Sequence, residues 1–145
     1  MSHDLLFNFI INIVKKANFY LDKKDIKNLK SEYSNLLQCL NKFKRVKSYF
    51  SIEVLKYSLY YFNNLYNKIT KIYIDDILVN FLICTMISSK FVEDECLENN
   101  ILCNIFDLNL KLINKMEFKI INILDFNLFI ENTNINSFIQ EIQRK

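Results

Sequence analysis

Across 145 residues the chain contains no glycine and no proline. Tight turns that need a positive φ must then fall to Asn and Asp, the non-glycine residues that best tolerate left-handed backbone. Helices also run free of their two strongest breakers. Asn, Lys, Ile, Tyr and Phe are abundant, and all have AT-rich codons. Isoleucine content is therefore weak evidence for strands here, and periodicity has to decide.

The periodicity is helical almost throughout. Leu5, Leu6, Phe9, Ile10, Ile13, Val14 and Ala17 mark one face of a first helix over about His3 to Leu21. Ile26, Leu29, Tyr33, Leu36, Leu40 and Phe43 recur at three- and four-residue steps in a second. That stripe is too short for the ~3–4 heptads of a coiled coil, so core packing accounts for it. A basic loop, Lys44 to Lys47, precedes a third helix starting near Ser51, an N-cap with Glu53 in the first turn.

A fourth helix is expected from about Tyr73 to Phe91, with Asp75 and Asp76 in its first turn. From Ile77 to Ile87 only Asn80 and Thr85 interrupt its apolar surface. Such a helix has no face for water and must be wrapped by others, which makes it central. Two more follow, near Leu97 to Phe106 and Asn109 to Asp125. The tail adds an amphipathic turn or two through Ile135, Phe138, Ile139 and Ile142. The expectation is an all-α domain of five core helices around a central one, with extra helices at both ends.

Half of the chain is hydrophobic, enough for one core at this length, and the net charge is only +3 with the cations dispersed. No basic block suggests nucleic acid. No segment reaches the ~18–20 apolar residues of a membrane helix. The opening stretch, Leu5 to Val14, lacks the basic start and small-residue cleavage site of a signal peptide, so an intracellular protein, nuclear or cytoplasmic, is expected. Cys39, Cys84, Cys96 and Cys103 form no C-x-x-C pair, and only His3 could join them as a nitrogen ligand. Reduced, buried thiols are the expectation, with no metal and no cofactor. Without glycine there is no Walker loop, dinucleotide fingerprint or glycine-rich kinase loop. One histidine leaves no candidate triad. The acidic run Glu93, Asp94, Glu95 and Glu98 lacks the alternating ligands of a calcium loop and reads as a solvated helix start. No enzyme activity is expected.

Three segments carry a resemblance. Ser58-Leu59-Tyr60-Tyr61-Phe62-Asn63 is similar to the second helix of the cyclin box, where P-type cyclins have an S-L-Y-Y-I-D run. Ile87-Ser88-Ser89-Lys90-Phe91-Val92-Glu93-Asp94 resembles the A-S-K-F-x-[DE]-[DE] end of the third box helix. Asn114-Lys115-Met116-Glu117-Phe118, then Ile123-Leu124-Asp125-Phe126-Asn127-Leu128, resembles the fifth, N-x-x-E followed by L-x-F-x-L. Upstream, Leu36 to Phe43 is a weaker match to the first box helix. Order and spacing agree across about half of the chain, and the length suits the single-box P-type branch.

The resemblance implies a division into an N-terminal helix (1–23), a cyclin box (24–130) and a short C-terminal helix or tail (131–145). It implies a regulatory subunit that binds and activates a cyclin-dependent protein kinase, as a heterodimer, by docking on the kinase's αC helix. The kinase-gripping Lys and Glu of the family fall on Lys90 and Glu117. Its apolar contacts fall on Ile87, Phe91, Ile121, Phe126 and Leu128. A plainer reading of Lys90 and Glu117 is an internal ion pair tying two helices, and both can hold together. The family's first-helix Arg and second-helix Asp are here Cys39 and Asn63, so no charge is left unpaired. The rival reading is a non-catalytic helical adaptor, or a cyclin-fold module that activates no kinase.

Overall fold

The computed structural model describes residues 3–17, 19–41, 51–69, 73, 76–93 and 98–143. They form seven helices and no strand: α1 (His3–Lys16), α2 (Lys23–Asn41), α3 (Ile52–Lys68), α4 (Ile77–Val92), α5 (Asn99–Phe106), α6 (Leu110–Ile123) and α7 (Asn132–Gln143). The all-α expectation holds. No helix among the described residues is long and apolar enough to cross a membrane.

Local chemistry sets the starts of three helices. Asp22 and Asp25 exchange side-chain to backbone hydrogen bonds (Asp25 N to Asp22 Oδ1, 2.8 Å; Asp22 N to Asp25 Oδ2, 3.2 Å), a capping box that starts α2. Ser51 caps α3 by accepting from the Val54 amide at 3.2 Å, and Asn109 caps α6 by accepting from Leu112 at 3.0 Å. Several boundaries differ from the sequence reading. α6 stops at Ile123, two residues short of Asp125, and α7 runs about three turns where one or two were expected. α1 stops at Lys16 instead of reaching Leu21, because Phe19 leaves the helix to meet Tyr66 edge-on at 6.0 Å, while Leu21 is buried. α4 begins at Ile77 and not at Tyr73, with Asp76 at its N-cap position. The Lys44–Lys47 loop, Phe43, Asp75, Asp94, Glu95 and Leu97 lie outside the described residues, as do the side chains of Cys39, Leu40 and Cys96.

α3 and α4 form the middle of the molecule. Residues 81–89 of α4 are buried without interruption, as its continuous apolar run requires. Its two polar interruptions are satisfied: Thr85 Oγ1 donates to the Phe81 carbonyl at 2.9 Å, and the Asn80 amide donates to the Tyr66 hydroxyl at 3.3 Å. The two helices run antiparallel, since Asn80 meets Tyr66, Phe81 meets Phe62, and Ser88 meets Val54. α3 also packs on α1, α6 and α7, so it shares the central role expected of α4 alone. Phe9, Ile10 and Val14 of α1 and Ile135, Phe138 and Ile142 of α7 join the same core.

Candidate functional site

The α3–α4 contact is built on small hydroxyl side chains. Ser58 (2.6 Å) and Ser88 (2.7 Å) both donate to the carbonyl of Val54, and all three residues are fully buried. Serine at these positions lets the two backbones come close and gives one carbonyl two partners. This crossing fixes the end of α4 against the beginning of α3. There Ser51 Oγ donates to Glu93 Oε1 at 2.7 Å, and the ring of Phe91 lies 6.2 Å from that of Tyr57.

Lys90, on the last turn of α4, reaches across to α6. Its ammonium donates to both oxygens of Glu117, at 2.9 and 3.0 Å, with the lysine side chain 39% exposed and the glutamate 15%. Water access keeps such a pair to about 1 kcal/mol of stability. Asn99, first residue of α5, donates through Nδ2 to Glu117 Oε2 (3.2 Å) and to Asn114 Oδ1 (2.9 Å). Three helices thus meet on one carboxylate. Asn99 Oδ1, in the residue that bonds to Glu117, and Ser89 Oγ, one residue before Lys90, are buried without a hydrogen-bond partner among the described residues, as is the Tyr33 hydroxyl in the core. Unsatisfied buried polar atoms are costly, and two of these belong to residues adjoining the ion pair, Asn99 through its bond to Glu117 and Ser89 in sequence.

Beyond α6 the chain makes an irregular turn. Phe126 N bonds to Ile121 O (3.0 Å) and Asp125 N to Asn122 O (3.0 Å), the paired bonds of a Schellman closure. Its left-handed residue is Asp125, φ 57°; α5 ends likewise on Asp107, φ 54°. Both fit the expectation that aspartate replaces glycine in such turns. Phe126 departs from it: a bulky aromatic at φ 57°, which costs of the order of 1–2 kcal/mol.

The segment that follows is held by side chains of α3. The Tyr61 hydroxyl donates to the Leu128 carbonyl and that of Tyr57 to Ile130, at 3.1 Å in the second case. Lys68 Nζ donates to the Ile123 carbonyl and to Asp125 Oδ2, both at 3.0 Å. Burial, with smaller contributions from Tyr57 and Cys84, pushes the Tyr61 phenol well above its ordinary pKa, so it stays a protonated donor.

The residues singled out from the sequence occupy different environments. Lys90 and Glu117 come together. Phe91 is 45% and Phe126 61% exposed, as contact residues must be. Ile121 and Leu128 are half-buried and packed on the core. Ile87, at 2% exposure, is wholly a core side chain and presents nothing to a partner in this conformation. It sits one turn before Phe91, but within the stretch of α4 that is buried without interruption. Asn99, Tyr57 and Lys68 were not singled out. Tyr61 lies within the Ser58–Asn63 segment, to which the resemblance assigns no contact. Asn99 carries no sequence signal, since an Asn at a helix start reads first as a cap.

Comparison with known proteins places the chain nowhere further: no family model, no curated protein and no solved structure matches it.

Proposed function

We propose that this chain is a cyclin-like regulatory subunit that docks on the αC helix of a cyclin-dependent protein kinase and activates it, with no catalysis of its own. One observation carries the reading. Lys90 and Glu117, picked from separate motifs 27 residues apart, stand 2.9 Å from each other at a partly exposed rim. The ordered motifs around them supply the resemblance, and the exposed Phe91 and Phe126 supply apolar anchors. Anchors of this kind beside a few desolvated polar contacts are the usual make-up of a binding hot spot.

The mechanism is positional. An inactive kinase holds αC swung out, so its glutamate cannot pair with the lysine that orients the ATP phosphates. Binding energy directed at the αC-in state shifts that equilibrium, and a preference of about 5.5 kcal/mol takes it from 1:99 to 99:1. Glu117 already accepts from Asn99 as well as Lys90, so the rim is ordered before a partner arrives. That same internal satisfaction favours the second reading, a helical adaptor in which Lys90 and Glu117 only tie α4 to α6.

The test is co-purification with each cyclin-dependent kinase of the source organism, followed by phosphate transfer to a generic substrate. Wild type is run beside the charge swap Lys90→Glu with Glu117→Lys, which keeps an ion pair between the helices. Kinase activation by wild type, with affinity falling at least about a hundredfold in a folded swap variant, supports the cyclin role. A swap that activates normally reduces the pair to a helix tie. Absence of any bound kinase moves the adaptor reading to the front.

A further inference from the structure

The turn at residues 125–126 is unusual enough to need an explanation. Two consecutive non-glycine residues are left-handed, and the second is a phenylalanine whose ring is mostly in water. The fold gains little from that ring, and Asn, far better suited to left-handed backbone, is used freely elsewhere in the chain. A strained backbone that presents an exposed aromatic is what a contact surface calls for.

Tyr57, Tyr61 and Lys68 are spaced i, i+4 and i+11 on α3, which places them within one narrow stripe of the helix. Along that stripe they hold, in turn, the carbonyls of Ile130, Leu128 and Ile123. Lys68 is the member at the strained end. Its second bond, to Asp125 Oδ2, grips the first left-handed residue directly. Its charge also lies at the C-terminus of α6, where a cation is favoured by the helix dipole.

We propose that Lys68 is a positioning residue: it holds the 125–126 turn so that Phe126 faces the kinase in one pre-ordered orientation. This rests on the kinase-docking reading above. Pre-ordering lowers the entropy that binding would otherwise lose in fixing the turn. Lys68 itself makes no partner contact and acts through Phe126.

Two measurements test it, on wild type, Lys68→Met and Lys68→Arg, with far-UV circular dichroism to check the fold. Lys68 is half exposed and outside the core, so all three are expected to fold. Without a partner, 15N relaxation reads the order of the Phe126 amide. It is expected to fall measurably below the ~0.85 of rigid backbone in Lys68→Met, the bond to the Ile121 carbonyl still limiting the motion, and to recover in Lys68→Arg. With the kinase, Lys68→Met is expected to weaken binding about tenfold, and to have almost no effect once Phe126→Ala is present. An unchanged order parameter in Lys68→Met overturns the proposal. So does lost order with unchanged kinase affinity, or an equal loss in the Phe126→Ala background, and these leave the docking reading standing. If wild type binds no kinase, both fall.

Discussion

Replacing Tyr61 by Phe removes one oxygen from the middle of the protein and nothing else. The ring is fully buried on α3, edge-on to Tyr57 at 6.0 Å, and its packing survives the change. What is lost is the hydroxyl that donates to the Leu128 carbonyl. An intramolecular hydrogen bond nets about 0.5–1.5 kcal/mol, and a buried partner left unpaired pushes the cost to the top of that range. Leu128 is half-buried, so water recovers part of the loss for its carbonyl. The expected destabilisation is about 1 kcal/mol, or about 3–5 °C in Tm for a chain of this length. Urea unfolding followed by circular dichroism measures it, with an unchanged m-value as the sign that the denatured state is not the cause. The control is Tyr60→Phe. Tyr60 packs edge-on to Phe138 at 5.3 Å, and its hydroxyl has no hydrogen-bond partner among the described residues. That change should stay within about 0.5 kcal/mol. Equal stability of the Tyr61 and Tyr60 variants would refute the claim that α3 hydroxyls hold the segment after α6.

Asp107→Gly should gain about 0.5 kcal/mol, since glycine adopts φ 54° without the Cβ clash and only part of that gain is lost to unfolded-state entropy. Asp107→Val should lose about 1–2 kcal/mol in the same urea assay, and equal effects of the two would mean that φ does not matter there. At alkaline pH stability should fall. Burial raises the pKa of Tyr33, Tyr61 and Tyr66 above the ordinary 10.0, and that of Cys84 above 9.0. The folded chain then keeps protons that the unfolded chain releases, so stability is fully present below about pH 8 and declines from about pH 9 upward. Each group contributes a slope of up to about 1.4 kcal/mol per pH unit. Urea titrations at neutral pH and through this window check it, and a flat profile up to pH 11 would contradict it.

Much of the helix inventory is legible in the sequence because helices are local. Apolar spacing of three and four residues marked α1, α2, α6 and α7, the cap at Ser51 is a single-residue signal, and the unbroken run of α4 required burial on every side. The departures are also local contests that distant partners won. Phe19 left α1 for Tyr66, and Ile87, spaced like a contact residue, went to the core that α3 builds.

The candidate site was only half legible. Motif order nominated Lys90 and Glu117, but not the distance between them, nor Asn99 beside them. The lack of glycine foretold left-handed aspartates and gave no hint of Phe126. The sequence by itself determined where helices form and which faces are apolar, because both depend on interactions within about four residues along the chain. Only the tertiary structure decided that Tyr57, Tyr61 and Lys68 of α3 hold a segment more than fifty residues away. Such contacts depend on how helices cross and how closely Ser58 and Ser88 let them approach, which no local period encodes.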